Sequence, residues 1–353
     1  MKNKEFAYIT LYKRLRGEIT RGAYKYGDRL PSKRVLAEET GTSVITVEHA
    51  YNILADEGYI ETKEKRGYFV IFNDKDSFSM PDDAHPPKPT EHHHAVAEDF
   101  PFSVFSKTVR RVISDYWDEL LEKSPSFGVL ELRQAVSSYL ARSRDIFAPA
   151  ENILIGAGAE YFYSLLVQVL GRDTLFGLEN PSYEKIKRVY EANGAKCRML
   201  DMGRDGILSH KLAETDAKVL HITPFNSFPS GITATASKRR EYLRWAKSRD
   251  AIIIEDDFDS EFSGLTKRED TVFSLSDDGR VIYMNTFSKT IAPSIRMGYM
   301  VIPDAMLPLF NEKAGFYSCT VSVLEQLIVA EFIRSGDFER HLNRTRRKRR
   351  SKV

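Results

Sequence analysis

Residues 282–301, "IYMNTFSKTIAPSIRMGYMV", decide how the larger part of this sequence is interpreted. They place Lys289 between two apolar, β-rich runs, which are typical of strands buried on both faces. A charge is costly there, so this lysine is predicted to have a partner or a reaction. A desolvated amine loses proton affinity and becomes a nucleophile for carbonyl compounds. We therefore predict that Lys289 is buried and forms a Schiff base; the alternative is a solvated surface lysine.

Length and composition limit the class of protein. The chain has 353 residues, 42% hydrophobic and 29% charged, which is typical of a soluble protein with two or three domains. Its net charge of +2 is nearly neutral, so nucleic-acid binding must be argued from local patches. Cys197, Cys319 and the adjacent histidines at 92–94 lack the spacing of a disulfide framework or a metal site. No run is apolar enough for a membrane helix or secretion signal, which predicts a cytoplasmic protein.

Shifts in composition divide the chain into three parts. Residues 1–72 form a compact charged block. Residues 73–97 are rich in Pro, Asp and His without an apolar period, which predicts a flexible linker. In residues 98–353, short apolar runs such as "KVLHITP" and "RVIYMNTFSK" alternate with helical patterns. This alternation predicts an α/β domain with a mostly parallel sheet.

The first block has the pattern of a winged helix-turn-helix. A helical apolar stripe runs through "YITLYKRLRGEITRG". Ser32 and Ser43 are placed to cap the helices "KRVLAEET" and "VITVEHAYNILADEG", with Gly41 in the turn between them. "YIETKEKRGYFVIF" then alternates apolar and polar residues around a basic tip, which predicts a β-hairpin wing.

Residues 6–72, and above all "GDRLPSKRVLAEETGTSVITVEHAYNILADEGYIETKEKRGYFV", resemble the DNA-binding domain of the GntR family. The resemblance implies that the third helix enters the major groove of an operator in double-stranded DNA, while the second helix and wing hold the backbone. Val44 and Glu48 stand where the family often has arginines. A winged helix used only for protein contacts is the alternative. The residues assigned to DNA are Arg34, Ser32, Ser43, Thr46, Lys65, Arg66 and Gly67.

The second block supplies partners for Lys289. "AIIIEDDFD" is an apolar strand that delivers Asp256 to its carboxyl end, where an acid can pair with a pyridinium nitrogen. In "ILIGAGAEYFYSLL", Gly158 and Ala159 begin a helix whose backbone N–H groups can bind phosphate. Tyr183 follows another strand and can stack on a flat ring. Arg296, with Ser288 or Thr286, can reach the same phosphate. Together these residues predict a pyridoxal 5'-phosphate site.

From about residue 98 to 340 the order of these motifs resembles the fold type I aminotransferases of class I. "FGVLELRQAVSSYLARSRDI" and "ITPFNSFPSG" are further matches. A GntR-like winged helix linked to such a domain is similar to the MocR subfamily of bacterial transcription regulators. The resemblance implies a cofactor domain that senses an amine or amino acid through a lysine aldimine, and a head-to-tail homodimer.

Two positions depart from the aminotransferase pattern. Phe258 stands where a tyrosine usually bonds the cofactor's ring oxygen, and it cannot do so. Phe228 stands where an asparagine is expected, and Asn226 is a possible substitute. The chain stops at "HLNRTRRKRRSKV", so we expect the C-terminal small domain, with its carboxylate-clamping arginine, to be missing. Lys185 is the residue we expect to give a residual anion contact.

Three functions are compatible with this sequence. The first is a pyridoxal-phosphate-dependent transcription regulator without significant turnover. The second is an active aminotransferase that carries a DNA-binding domain. The third is a GntR-type repressor whose degenerate second domain only dimerises. The recognition helix and basic wing favour a regulator over a free-standing enzyme.

Overall fold

The computed structural model describes residues 6–63, 66–73, 100–262 and 269–350, and for residues 349 and 350 it describes the backbone alone. The chain divides into two compact units, Met1–His92 and His93–Val353. The predicted linker at 73–97 lies almost wholly outside the described residues, as does Lys65.

The first unit is a winged helix-turn-helix. Its helices are α1 (Ala7–Thr20), α2 (Lys33–Thr40) and α3 (Val44–Asp56), followed by the hairpin strands β1 (Ile60–Lys63) and β2 (Gly67–Val70). The predicted caps are confirmed: the hydroxyl of Ser32 accepts a hydrogen bond from the Val35 amide, and that of Ser43 from the Thr46 amide. Gly41 ends α2 in the left-handed conformation, at φ 63°. The apolar stripes of the three helices pack into one core with Leu15, Val47 and Leu54 at its centre.

The second unit is built on an eight-stranded sheet in the order β3-β10-β9-β8-β7-β4-β5-β6. The pairs β4–β5, β4–β7, β7–β8 and β8–β9 are parallel, which confirms the predicted mostly parallel sheet. The strands are β3 (Ile153–Gly156), β4 (Leu175–Asn180), β5 (Lys196–Gly203), β6 (Gly206–Ile207), β7 (Val219–Ile222), β8 (Ile252–Asp256), β9 (Val281–Thr286) and β10 (Gly298–Val301). The helices are α4 (Phe102–Asp115), α5 (Leu130–Arg144), α6 (Ala159–Leu170), α7 (Glu184–Ala192), α8 (Ser209–Glu214), α9 (Ala236–Arg249), α10 (Phe287–Thr290), α11 (Leu307–Ala314), α12 (Val323–Arg334) and α13 (Asp337–Arg350).

Helices cover both faces of this sheet, which explains its continuous apolar strands. All six residues of β9 are buried. Its side chains alternate between two cores: Tyr283 packs with residues of α5 and α12, while Ile282 and Met284 pack with residues of α6, α7 and α11.

The sheet register brings three chain segments to one edge. Asp256, the last residue of β8, pairs with Met284 of the parallel strand β9, so Asp256 and the start of α10 lie at the same carboxyl end. The antiparallel strand β10 starts there too, because Gly298 pairs with Thr286 on one side and Gly156 on the other. A Cβ on Gly298 would lie 2.7 Å from the Asn285 carbonyl oxygen, so the strands meet without room for a side chain.

Candidate functional site

A cavity of about 350 Å³ opens at this carboxyl edge, within the size range of small-ligand sites. All the predicted cofactor residues except Gly158 and Asn226 line it. Its lining consists of Ala159, Glu160, Tyr163, Tyr183, Ile186, Phe228, Asp256, Phe258, Thr286, Ser288, Lys289 and Arg296.

Lys289 lies on α10, directly after β9, as its position between two strands predicted. Its predicted burial is wrong: 44% of the side chain is exposed, because α10 leaves the sheet and turns the lysine into the open cavity. The amine Nζ is 3.2 Å from Asp259 Oδ1 and 4.3 Å from the centre of the Phe258 ring. This amine is therefore exposed to solvent, and an ion pair and a cation–π contact hold it in position.

Asp256 is buried at the end of β8. Its Oδ2 accepts a hydrogen bond of 2.6 Å from the Tyr163 hydroxyl. Burial raises the pKa of Tyr163, which keeps this donor protonated. The ring of His221 lies behind the carboxylate, with Nε2 3.6 Å from Oδ2. Among the described residues Oδ1 has no hydrogen-bond partner, so one buried oxygen beside the cavity is available to a donor from a ligand.

A second part of the cavity lining is suited to an anion. Gly158 caps α6 at φ 85°, and the Arg296 guanidinium lies 3.4 Å from the place where a Cβ on Gly158 would be. The first residues of α6, the Arg296 guanidinium and the Ser288 hydroxyl thus line the same cavity. Glu160 lies among them: its Oε2 is 3.8 Å from Arg296 Nη2, and its Oε1 accepts a 3.0 Å hydrogen bond from Lys185.

Aromatic side chains form the walls of the cavity. Tyr183, which follows β4, meets Phe228 edge to face with 6.1 Å between ring centres. Asn226 lies farther out and donates a 2.5 Å hydrogen bond to Asp259 Oδ2. It therefore supports the carboxylate that pairs with Lys289, and its direct contact with a cofactor remains a prediction.

Four polar residues of this site were not predicted: Glu160, Tyr163, His221 and Asp259. Glu160 and Tyr163 could have been found, because they follow the predicted Ala159 on the same helix, one residue and one turn later. Asp259 was present in the quoted "DDFD" run. No sequence pattern marks His221 as a site residue, since it stands within an apolar strand.

This set of residues fits pyridoxal phosphate. The unpartnered Asp256 Oδ1 suits a ring N–H donor, and the start of α6 with Arg296 and Ser288 suits a phosphate. Lys289 supplies a primary amine in the same cavity. Among the described residues, no group of His, Cys, Asp and Glu side chains could hold a metal ion.

Glu179, at the end of β4, provides a pH test of this region. It is buried and accepts a 2.7 Å hydrogen bond from Ser227, and burial raises its pKa to about 8. As the pH rises above 4.5, the unfolded chain releases this proton first, so the free energy of unfolding should fall until about pH 8. Glu179→Gln should reduce that slope by up to about 1.4 kcal/mol per pH unit. Urea unfolding followed by tryptophan fluorescence would measure it, because Trp117 and Trp245, the chain's two tryptophans, lie in the large unit.

The matched control is Glu214→Gln, at an exposed position ending α8, which should leave the pH slope unchanged. Equal slopes in wild type and Glu179→Gln would contradict the assigned proton uptake.

The first unit presents a separate candidate surface for DNA. Arg34 on α2 and Arg66 at the wing are exposed. Gly67 has φ 108°, and the Arg29 guanidinium lies 3.1 Å from where its Cβ would be, so the wing itself requires this glycine. The hydroxyls of Ser43 and Thr46 are 2.9 Å apart at the start of α3. The contacts of these residues with DNA remain predictions.

Comparison with known proteins agrees with both units. Residues 7–70 match the family "Bacterial regulatory proteins, gntR family", and residues 114–352 match "Aminotransferase class I and II". The uncharacterized HTH-type transcriptional regulator YdeL of Bacillus subtilis (strain 168) is 34% identical over 98% of this chain and 77% of its own length. The probable rhizopine catabolism regulatory protein MocR of Rhizobium meliloti is 29% identical over 96% of this chain and 73% of its own.

The large unit also resembles solved enzymes. An archaeal alanine:glyoxylate aminotransferase superposes with a TM-score of 0.64 and 25% identity, covering 69% of this chain. The present chain spans 62% of the length of that enzyme. In the part of the chain that the structure describes, no helix combines the length and apolarity needed to cross a bilayer.

A winged helix followed by a fold type I unit, with a lysine and an aspartate facing one cavity, defines a regulator with an aminotransferase-like domain. The chain belongs to the MocR subfamily of the GntR-type transcription regulators.

Proposed function

We propose that this protein regulates transcription by binding an operator in double-stranded DNA, and that its aminotransferase-like unit binds pyridoxal phosphate and senses an amine or amino acid. The observation that supports this most is the cavity lined by Lys289, by Asp256 with its unpartnered Oδ1, and by the start of α6. The same chain carries a GntR-type winged helix, so ligand binding at this site would alter DNA binding.

Each lining residue has a role in holding the cofactor. Asp256 Oδ1 would accept the ring N–H, while Tyr163 holds the other carboxylate oxygen in place. The amides at the start of α6, Ser288 and Arg296 would hold the phosphate, and Tyr183 would pack on the ring. When bound, pyridoxal phosphate supplies an aldehyde that condenses with primary amines. Lys289 provides the protein's own amine for that aldehyde.

The surroundings of Lys289 favour sensing over turnover. Binding an amine requires only access to the cavity, and the exposed Lys289 shows that solvent reaches this point. Turnover also requires proton transfer at a held substrate. Phe258 and Phe228 line the cavity where hydrogen-bond donors were expected, so both contribute apolar wall. The alternative is a working aminotransferase, and sustained turnover above about one per second would favour it.

The winged helix would bind DNA through α3 in the major groove, with α2 and the wing on the phosphates. The proposed assembly is a homodimer, because dimeric helix-turn-helix proteins bind two half-sites. The test of this function is a DNA-binding titration of the purified full chain with pyridoxal phosphate, in the presence and absence of a panel of amines and amino acids. We expect one member of the panel to change both the cofactor absorbance and the DNA affinity. No retention of any duplex would contradict a regulator.

Arg34→Ala and Arg66→Ala should each weaken binding to all duplex sequences. Both side chains are exposed and would contact phosphates, and each lost phosphate contact should lower the slope of log affinity against log salt by about 0.9. Fluorescence anisotropy over a salt series would measure the slopes. Arg172→Ala, at an exposed position in the other unit, is the control that should leave the slope unchanged. Unchanged slopes in the two winged-helix variants would remove these residues from the DNA contact.

A further inference from the structure

The outer face of α3 lacks the side chains that usually read bases. α3, "VITVEHAYNILAD", contains neither lysine nor arginine, so it cannot pair with guanine through a bidentate cation. One face of the helix is exposed or half-buried along its length. Val44, Ile45, Glu48, His49 and Asn52 lie on this face.

Several polar groups near the start of this face are already engaged. Glu48 accepts a 2.6 Å hydrogen bond from Lys33 Nζ, which pairs its charge with a cation of α2. The Thr46 hydroxyl lies 2.9 Å from that of Ser43, which caps the helix. The His49 ring packs against Tyr8, with 5.7 Å between ring centres.

Two apolar side chains therefore dominate the first turn. Val44 is 41% exposed and Ile45 is 66% exposed. β-branched residues lower helix propensity, and their exposure leaves apolar surface in water, so local stability does not account for this pair. Single exposed apolar residues are common. Here, however, two adjacent ones occupy the helix start that contacts base edges in helix-turn-helix proteins.

The surrounding charges favour DNA over a protein as the occupant of this face. Arg34 is exposed on α2 and Arg66 is exposed at the wing, while Lys33 and Lys63 on the same two elements are paired with Glu48 and Glu61. Such an arrangement suits a groove bordered by phosphates. The apolar group on the floor of the major groove is the C5-methyl group of thymine.

We propose that Val44 and Ile45 read thymine methyl groups in the major groove, so that each operator half-site carries thymine where α3 begins. This inference rests on the DNA-binding function proposed above. It assigns specificity at these positions to apolar contact rather than to hydrogen bonds from cationic side chains. 5-Methylcytosine presents the same methyl group and should be accepted in place of thymine at the same positions.

The test uses the full chain and a duplex selected by it from a random DNA library. Anisotropy titrations compare this duplex with versions in which single thymines are replaced by deoxyuridine, which removes the methyl group and keeps the base pairing. We expect one or two positions per half-site to lose about four-fold in affinity per methyl group. At such a position, 5-methylcytosine should bind better than cytosine by a similar factor.

Val44→Ser and Ile45→Ser should each abolish the discrimination between thymine and deoxyuridine at one position. Each substitution removes the methyl groups of the side chain and leaves a small hydroxyl that the start of a helix tolerates. The control is Val35→Ala on α2, where an exposed valine should leave the discrimination ratio unchanged. Circular dichroism would establish that each variant is folded.

The outcomes separate this inference from the function beneath it. Methyl readout would be overturned if DNA binding were salt-dependent but unaffected by every deoxyuridine substitution. It would also be overturned if both α3 variants still discriminated thymine from deoxyuridine. Neither result would contradict the DNA-binding function. Failure to retain any duplex would overturn the DNA-binding function, and methyl readout with it.

Discussion

Replacing Lys289 with alanine is expected to abolish the covalent attachment of pyridoxal phosphate to the protein. Lys289 is the lysine that lines the cavity, and its Nζ is held by Asp259 at 3.2 Å. Without this amine the cofactor's aldehyde has no protein group to condense with. Binding through the phosphate and ring contacts should persist at lower affinity.

Borohydride reduction followed by peptide mass spectrometry would measure the attachment. Wild type should carry the reduced cofactor on the peptide that contains Lys289. Lys187→Ala is the matched control, because this lysine of α7 lies within ion-pair distance of Glu191, does not line the cavity and should not affect labelling. Undiminished labelling of the Lys289→Ala protein would refute the assignment. Affinity for a selected duplex should remain near that of wild type, since Lys289 belongs to the other unit.

Asp256→Asn should lower the affinity for pyridoxal phosphate by about 10- to 100-fold. The carboxylate offers its unpartnered Oδ1 to the ring nitrogen, and a hydrogen bond to a charged group contributes about 1.5–3 kcal/mol. Asparagine keeps the shape of the side chain and leaves an acceptor for Tyr163, so the fold should be preserved. Fluorescence titration of the apoprotein with the cofactor would give both affinities.

Asp250→Asn is the control for Asp256→Asn. Asp250 ends α9 in the left-handed conformation, which asparagine tolerates, and it pairs with Arg280 away from the cavity. The affinity of the Asp250→Asn protein for pyridoxal phosphate should equal that of wild type. Wild-type affinity in Asp256→Asn would show that the carboxylate does not hold the ring nitrogen.

Much of this site could be predicted because it depends on where strands end. An apolar run followed by an acid places Asp256 at a sheet edge, and the neighbouring parallel strand delivers Lys289 to the same edge. The helix caps at Ser32 and Ser43 could be predicted in the same way, because each depends only on neighbouring residues in the sequence. The wrong burial of Lys289 arose because flanking strands were taken to cover it, whereas α10 turns outward after β9.

Contacts between distant segments could not be predicted from a single sequence. Tyr163 donates to Asp256 across 93 positions, and Asn226 to Asp259 across 33. No local pattern marks either pair, since each depends on the side-by-side packing of separate strand ends. The pairing of Asp259 with Lys289 likewise required knowledge of which loop faces α10.

Close contacts of glycines fix the start of β10, so the position of Arg296 in the site depends on the number of residues between it and Gly298. Gly298 is hydrogen-bonded between two strands, and a Cβ on Gly156 would lie 2.5 Å from the Tyr161 ring. Arg296 precedes that junction by two residues. One residue inserted between Arg296 and Gly298 would displace the guanidinium by about 3.3 Å, roughly the length of a hydrogen bond. In related sequences, substitutions around this arginine should therefore be far more frequent than insertions or deletions between it and β10.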